Sequence, residues 1–175
     1  TALDATSLAG IPGGATVKLA DRIGTLIKAQ ADFLMNQLVD SNGLSVNGYD
    51  LAASKADATP LTLESQAEAI RGLLEAYLAT SNTAYRDRAQ KAFEVLESRF
   101  YHSTLRIHRT TLGEDRTFTY TPVRVAALSA ALRSVYQLLA MRAGQEAMKT
   151  TVEERIGRFH KLVLNGWDDA KLPAL

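Results

Sequence analysis

Apolar side chains recur every three or four residues through most of this chain, and the interruptions in that rhythm divide it into five helical stretches. The first runs from about Val17 to Val39, where Leu19, Ile23, Leu26, Ile27, Phe33, Leu34 and Leu38 keep the period and Asp21, Arg22, Lys28 and Asp32 face away. Asp40, Ser41, Asn42 and Gly43 stop it, because a glycine or asparagine just past the last apolar residue accepts the left-handed conformation that closes a helix. A second helix starts at Leu63, with Thr62 as its cap and Glu64 favoured in its first turn by the helix dipole. Leu63, Ala67, Ile70, Leu74, Tyr77 and Leu78 give it one face that must be buried. Thr80, Ser81, Asn82 and Thr83 then bond their own backbone in competition with helix, so the chain reverses. The third helix carries Tyr85, Ala89, Ala92, Phe93, Leu96 and Phe100, with Arg86, Asp87, Arg88, Gln90 and Lys91 on its wet side and His102 expected at its end. Pro122 suits the first position of a fourth, since its missing amide is not needed there. From Val123 to about Met141 only Arg124 and Arg133 are charged, so this helix is expected to be buried on most of its circumference. Met148, Val152, Ile156, Phe159 and Val163 outline a fifth, ended by Asn165, Gly166 and Trp167.

Two connections break the helical period. Residues 41–62 form a long polar stretch, and loops of that length are commonly functional or lack fixed structure. Its Tyr49 and Asp50 could offer a stacking ring and a carboxylate to a sugar-like ligand, but the favoured reading is that Tyr49 and Leu51 pin the loop to the helices. Leu105 and Ile107 alternate with Arg106 and His108, and Phe118 and Tyr120 alternate with threonines, around the turn-forming Gly113, Glu114 and Asp115. That period of two predicts a β-hairpin from about Leu105 to Tyr120. The expected fold is therefore mainly α, built of antiparallel helical hairpins with about five helices and one small β-hairpin excursion. Residues 1–16, punctuated by Gly10, Pro12, Gly13 and Gly14, read as an arm or linker, 17–167 as a single helical domain and 168–175 as a tail.

The run Leu74, Tyr77, Ala79, Thr80, Ser81, Asn82, Tyr85 and Ala89 resembles the hairpin repeat of the (α/α) toroid proteins, the six-hairpin glycosidase-like group that includes sugar epimerases and many carbohydrate hydrolases and lyases. In that group an inner helix ends in a leucine, tyrosine, alanine and threonine cluster before a polar turn. The spacing of Ala67, Leu73 and Tyr77 returns in Ala126, Leu132 and Tyr136, as repeated inner helices would require. A closed toroid takes a considerably longer chain, so the resemblance implies a partial α/α-toroid-like array. It also implies a binding face at the amino-terminal ends of the inner helices.

Composition narrows the chemistry more than it names it. The 175 residues, 46% apolar and 22% charged, fall in the range of a globular domain, and a net charge of +1 gives no reason to expect a polyanionic partner. The absence of cysteine excludes disulfides, thiolate metal sites and a cysteine nucleophile. No leader precedes Thr1, from which a processed, periplasmic or secreted protein, or part of a longer one, is expected. His102, His108 and His160 form no ligand pair one helical turn apart, so neither a metal nor another cofactor is expected. The uncharged run Val125–Leu132 is too short to cross a bilayer. Arg106, His108, Arg109 and Arg116 form a basic cluster suited to an anion, without the interleaved aromatics of nucleic-acid binding. Sugar hydrolysis uses two carboxylates, and Asp50, Glu64, Glu114 and Asp115 are the candidates on the expected face, though no pair is specified and no catalytic residue is assigned.

Two functions follow as expectations. The first is a non-enzymatic helical binding or assembly module, part of a larger exported or envelope-associated protein or complex, since an incomplete ring leaves inner-helix surface that needs another domain or subunit. The alternative is a carbohydrate-binding or carbohydrate-active toroid fragment, with Tyr49, Asp50, Glu64, Arg106, His108 and Tyr120 as its ligand-binding residues.

Overall fold

Five helices and two small antiparallel sheets make up the computed structural model, which describes residues 19–112, 118–140 and 142–165. Helix α1 spans Leu19–Asn36, α2 Leu63–Thr80, α3 Thr83–Phe100, α4 Pro122–Ala140 and α5 Glu146–Asn165. The mainly α fold expected from the periodicity is the one observed. The two-stranded sheets are β1 (Tyr49–Asp50) with β2 (Lys55–Ala56), and β3 (Tyr101–His102) with β4 (Ile107–His108).

The reversal between α2 and α3 follows from its residues. Ser81 closes α2 in the left-handed region at φ 57° and sends its amide to the Tyr77 carbonyl. Asn82 then caps α3 by accepting the Ala84 amide at 3.1 Å. At the other end Thr62 caps α2 through its Ser65 amide contact, as its residue type suggests.

Helices α2 and α4 lie side by side and run parallel. Near their starts Glu64 is paired with Arg124 and Ala67 is buried with Ala127 and Ala131; near their ends Leu74 and Leu78 share a groove with Tyr136 and Leu138. Each carries its own antiparallel partner, α3 on α2 and α5 on α4. Tyr77 stacks under Arg86 of α3 and Tyr136 under Lys149 of α5, both with the cation 5.7 Å from the ring centroid. Helix α1 covers the other flank of α2, with Leu34 against Gly72 and Asp32 accepting the Tyr85 hydroxyl at 2.7 Å. Leu63, Ile70, Leu73, Tyr85, Leu96, Phe100, Leu128, Leu132 and Val135 form the shared core.

Several expectations need correction. The β-hairpin is not at Leu105–Tyr120: Ile107–His108 is a strand, but its partner lies upstream at Tyr101–His102, so His102 belongs to a strand rather than to the end of α3. The tight turn at 103–106 is possible because Arg106 adopts φ 57°. Phe118 and Tyr120 alternate for a different reason, each filling an aromatic contact, Phe118 with His102 and Tyr120 with Phe159. Gly113, Glu114, Asp115 and Arg116 lie outside the described residues, as does Trp167.

The long connection at 41–62 has a fold of its own. Leu44, Ser45 and Val46 are buried, and the Gln66 side chain pairs with Ser45 as a strand would, accepting its amide at 2.7 Å and donating to its carbonyl at 2.6 Å. Asn47 gathers the rest: its oxygen accepts from the Thr62 amide and the Ser65 hydroxyl, and its nitrogen donates to Thr59 and Pro60. Leu78, expected on the buried face of α2, is 64% exposed, and α4 keeps an open side at Val123, Ala126, Arg133 and Gln137.

Candidate functional site

A buried polar cluster that joins three elements sits where α3, the β3–β4 hairpin and α5 meet. Helix α3 ends at Phe100, and the chain folds back so that Thr62 bridges Thr111 and the Leu63 amide donates to the Thr110 carbonyl at 2.9 Å. This return drives His108 inward, where it is 3% exposed. Its Nε2 donates to Glu97 Oε1 at 2.6 Å, since an ionised carboxylate only accepts. Glu97 Oε2 accepts from Arg155 Nε at 2.7 Å. The Arg155 guanidinium lies 3.6 Å from the Tyr101 ring centroid, and the Tyr101 ring meets His108 edge to face at 5.3 Å. Tyr120 completes the cluster by donating its hydroxyl to the His108 carbonyl at 2.7 Å.

Electrostatics follow from that enclosure. Burial by itself would raise the Glu97 carboxyl, but the hydrogen bond and charge of His108 and the Arg155 guanidinium outweigh it, and the pKa is held below the ordinary carboxylate value. Burial pushes the Tyr120 phenol well above the usual tyrosine range against the opposing pull of the His108 carbonyl, so the group acts as a neutral donor.

A groove of about 660 Å³ opens beside the cluster between α3 and α5, with Phe93, Glu97, Tyr101, Met148, Thr151 and Arg155 among its walls. Its size suits a small ligand or a side chain from a partner. Nucleophilic chemistry has no support there. Ser98 donates its hydroxyl to the Val95 carbonyl at 3.0 Å and Thr151 to the Ala147 carbonyl at 3.1 Å, so neither is directed at the histidine. Among the described residues no cluster of histidine, aspartate and glutamate could hold a metal ion.

The six residues singled out by the sequence fall in separate places. Tyr49 and Asp50 are on β1, where Tyr49 packs edge to face on Phe33 at 5.1 Å and Asp50 Oδ1 accepts the Ala52 and Ala53 amides. Tyr49 thus pins the connection to α1, whereas Leu51 is 77% exposed and pins nothing. Glu64 pairs with Arg124, whose guanidinium also donates to the Thr119 carbonyl at 2.8 Å. Arg106 serves the β3–β4 turn, its amide donating to the His102 carbonyl at 2.7 Å. Only His108 and Tyr120 are brought together. Among the described residues, Asp50 lines the groove on the β1–β2 hairpin, and Glu64 does not share it.

Glu97 and Arg155 were not identified from the sequence. A signal was present: Glu97 falls one turn after Phe93 and one turn before Tyr101, on the edge of the apolar face of α3, where a carboxylate needs a partner. The charge of that partner is predictable, its position in the chain is not. No protein-family model matches the chain, and no curated protein matches it in sequence at a significant level, so this chain stands on its own geometry.

Proposed function

We propose that the chain is a non-enzymatic helical binding and assembly module, one section of a longer array of helical hairpins. The observation that carries this reading is the parallel pairing of α2 with α4, each backed by its own antiparallel helix. Such pairing is translational, so it has open ends, unlike a bundle that closes on itself. Apolar side chains stand at both ends: Ile23 and Leu26 on α1, and Val123 and Val163 beside a groove of about 490 Å³ lined by Pro122, Val125, Phe159 and Leu162. The repeated tyrosine–cation contact of the two hairpins supports the same reading, as does the resemblance to toroid hairpins. That Tyr49 and Asp50, Glu64, and His108 lie in three separate places favours this reading over a carbohydrate site. In this reading the partners of the open ends are other protein segments; no described helix is long and apolar enough to cross a membrane.

The test is the intact mass and assembly state of the protein from its native source, by mass spectrometry and light scattering. A longer chain or a stable complex is expected, weakened by Leu26→Glu or Val163→Glu. A free monomer of 175 residues, unaffected by either change, overturns the proposal.

A further inference from the structure

Asparagine followed by glycine is the dipeptide most open to spontaneous deamidation, because the glycine amide can reach the asparagine side chain with no Cβ in the way. The chain contains Asn42–Gly43, Asn47–Gly48 and Asn165–Gly166, the last reaching beyond the described residues. The structure treats the first two very differently. The Asn47 carboxamide is bonded at both ends: Oδ1 accepts from the Thr62 amide, the Thr62 hydroxyl and the Ser65 hydroxyl at 3.2, 3.1 and 2.9 Å, and Nδ2 donates to Thr59 Oγ1 at 2.9 Å and to the Pro60 carbonyl at 2.6 Å. Rotating that side chain onto its own backbone would dismantle the cap of α2. Asn42 is exposed, and its carboxamide has one protein partner recorded, Asp40 Oδ2 at 3.2 Å.

We propose that Asn42 is a site of spontaneous modification in the folded protein, converting through a succinimide to aspartate and isoaspartate, while Asn47 is protected by its hydrogen-bonded hub. The Gly43 nitrogen attacks Asn42 Cγ and forms the ring; ammonia leaves, carrying the displaced amide proton. Solvent water then opens the ring at either carbonyl. The Gly43 amide first has to release the Asp40 carbonyl, which it holds at 3.1 Å in an exposed turn. The product has a consequence for the fold. It adds a negative charge beside Asp40, whose carboxylate accepts the Asn42 and Leu44 amides, and in the isoaspartyl form it lengthens the backbone next to Gly43, whose carbonyl accepts Arg88 Nη2 at 3.0 Å. The joint between α1 and α3 is what the change loosens.

The experiment is peptide mass mapping, with isoaspartate detection, of the full chain aged at mildly alkaline pH, folded and in denaturant. In the folded protein Asn42 is expected to convert while Asn47 lags by roughly tenfold or more, the two converging in denaturant, where local protection is gone. Ser65→Ala, which removes one donor to Asn47, is expected to speed conversion at Asn47 and leave Asn42 unchanged. Asn47 keeping pace in the folded protein, or Asn42 staying intact while the denatured control converts, overturns the proposal; an unchanged Asn47 rate in Ser65→Ala overturns the protective part assigned to the hub.

Discussion

At the scale of single residues, the structure turns on polar side chains placed where the pattern calls for apolar ones. Glu97 is the clearest, joining three elements through His108 and Arg155. Because its folded pKa lies below the unfolded one, its contribution is fully present above the ordinary glutamate value and is lost as pH falls through the folded value. Glu97→Gln is therefore expected to cost about 3 kcal/mol near neutrality, because a buried charge pair loses one member. It should also flatten the acid limb of stability against pH, read by urea unfolding at a series of pH values; an acid limb as steep as that of the wild type would show that another carboxylate governs it. Gln66 gives a second case. Its amide substitutes for a strand edge at Ser45, and Gln66→Leu leaves a buried amide and carbonyl unpaired, so a loss of about 1–3 kcal/mol is expected. Thermal unfolding will measure it, and a neutral result would mean that water can serve Ser45 as well as the glutamine does. Both residues sit on helix faces whose neighbours are apolar, which the sequence shows plainly. Their partners are far along the chain, and no local period reveals a pairing at that separation.

At the scale of elements, local rules were sufficient wherever the element closes on itself. Thr62, Ser81, Asn82 and Pro122 fix the ends of α2, α3 and α4 by cap geometry and proline preference; Thr62 and Pro122 could be placed from the residues alone, and residues 80–83 marked the reversal without assigning its caps. Ser81 pays a steric cost for its left-handed conformation, so Ser81→Gly is expected to stabilise the protein by about 0.5 kcal/mol and Ser81→Val to destabilise it by more than that. Chemical denaturation of the two variants checks the sign; a destabilising glycine would show that the serine side chain contributes more than its strain. The strands were harder. Of the alternation at Leu105–His108 only Ile107–His108 is extended chain, Leu105 and Arg106 lying in the turn before it, and Tyr101 and His102 look like the continuation of α3, because Phe100 keeps its helical period up to the boundary. Tyr49 and Lys55 belong to strands too short to leave any periodic trace.

At the scale of the whole molecule, the arrangement of α2 and α4 was only faintly legible. The echo of Ala67, Leu73 and Tyr77 in Ala126, Leu132 and Tyr136 did mark two helices that lie side by side. Leu73 and Leu132 are both buried, but the alanine that meets Ala67 is Ala127 with Ala131, and Ala126 is exposed. Small residues on both helices let the two backbones approach at that level, which gives a controlled test. Ala131→Leu is expected to cost about 1–3 kcal/mol by overfilling the contact, and Ala126→Leu to change stability little, in urea unfolding of the two variants. Equal effects would remove the close approach of α2 and α4 as the organising contact. The candidate cluster at Glu97 belongs to this scale also: it exists only because α5, arriving late in the chain, returns beside α3.

The backbone return over the start of α2 bears on how the protein comes off the ribosome. Leu63 donates to the Thr110 carbonyl, Leu112 donates to the Leu61 carbonyl and Thr62 bridges Thr111, so the first turn of α2 is completed by residues translated long after the helix itself. The α2–α3 hairpin can form as soon as Phe100 has emerged, but its open end stays unlatched until Leu112 follows. Nascent chains stalled before Thr110 should accordingly be cut by protease at Leu61–Leu63, and chains stalled with Leu112 clear of the exit tunnel should resist. The connection ahead of α4 thus sets the moment during synthesis at which the first hairpin becomes a finished unit, ready to receive the second.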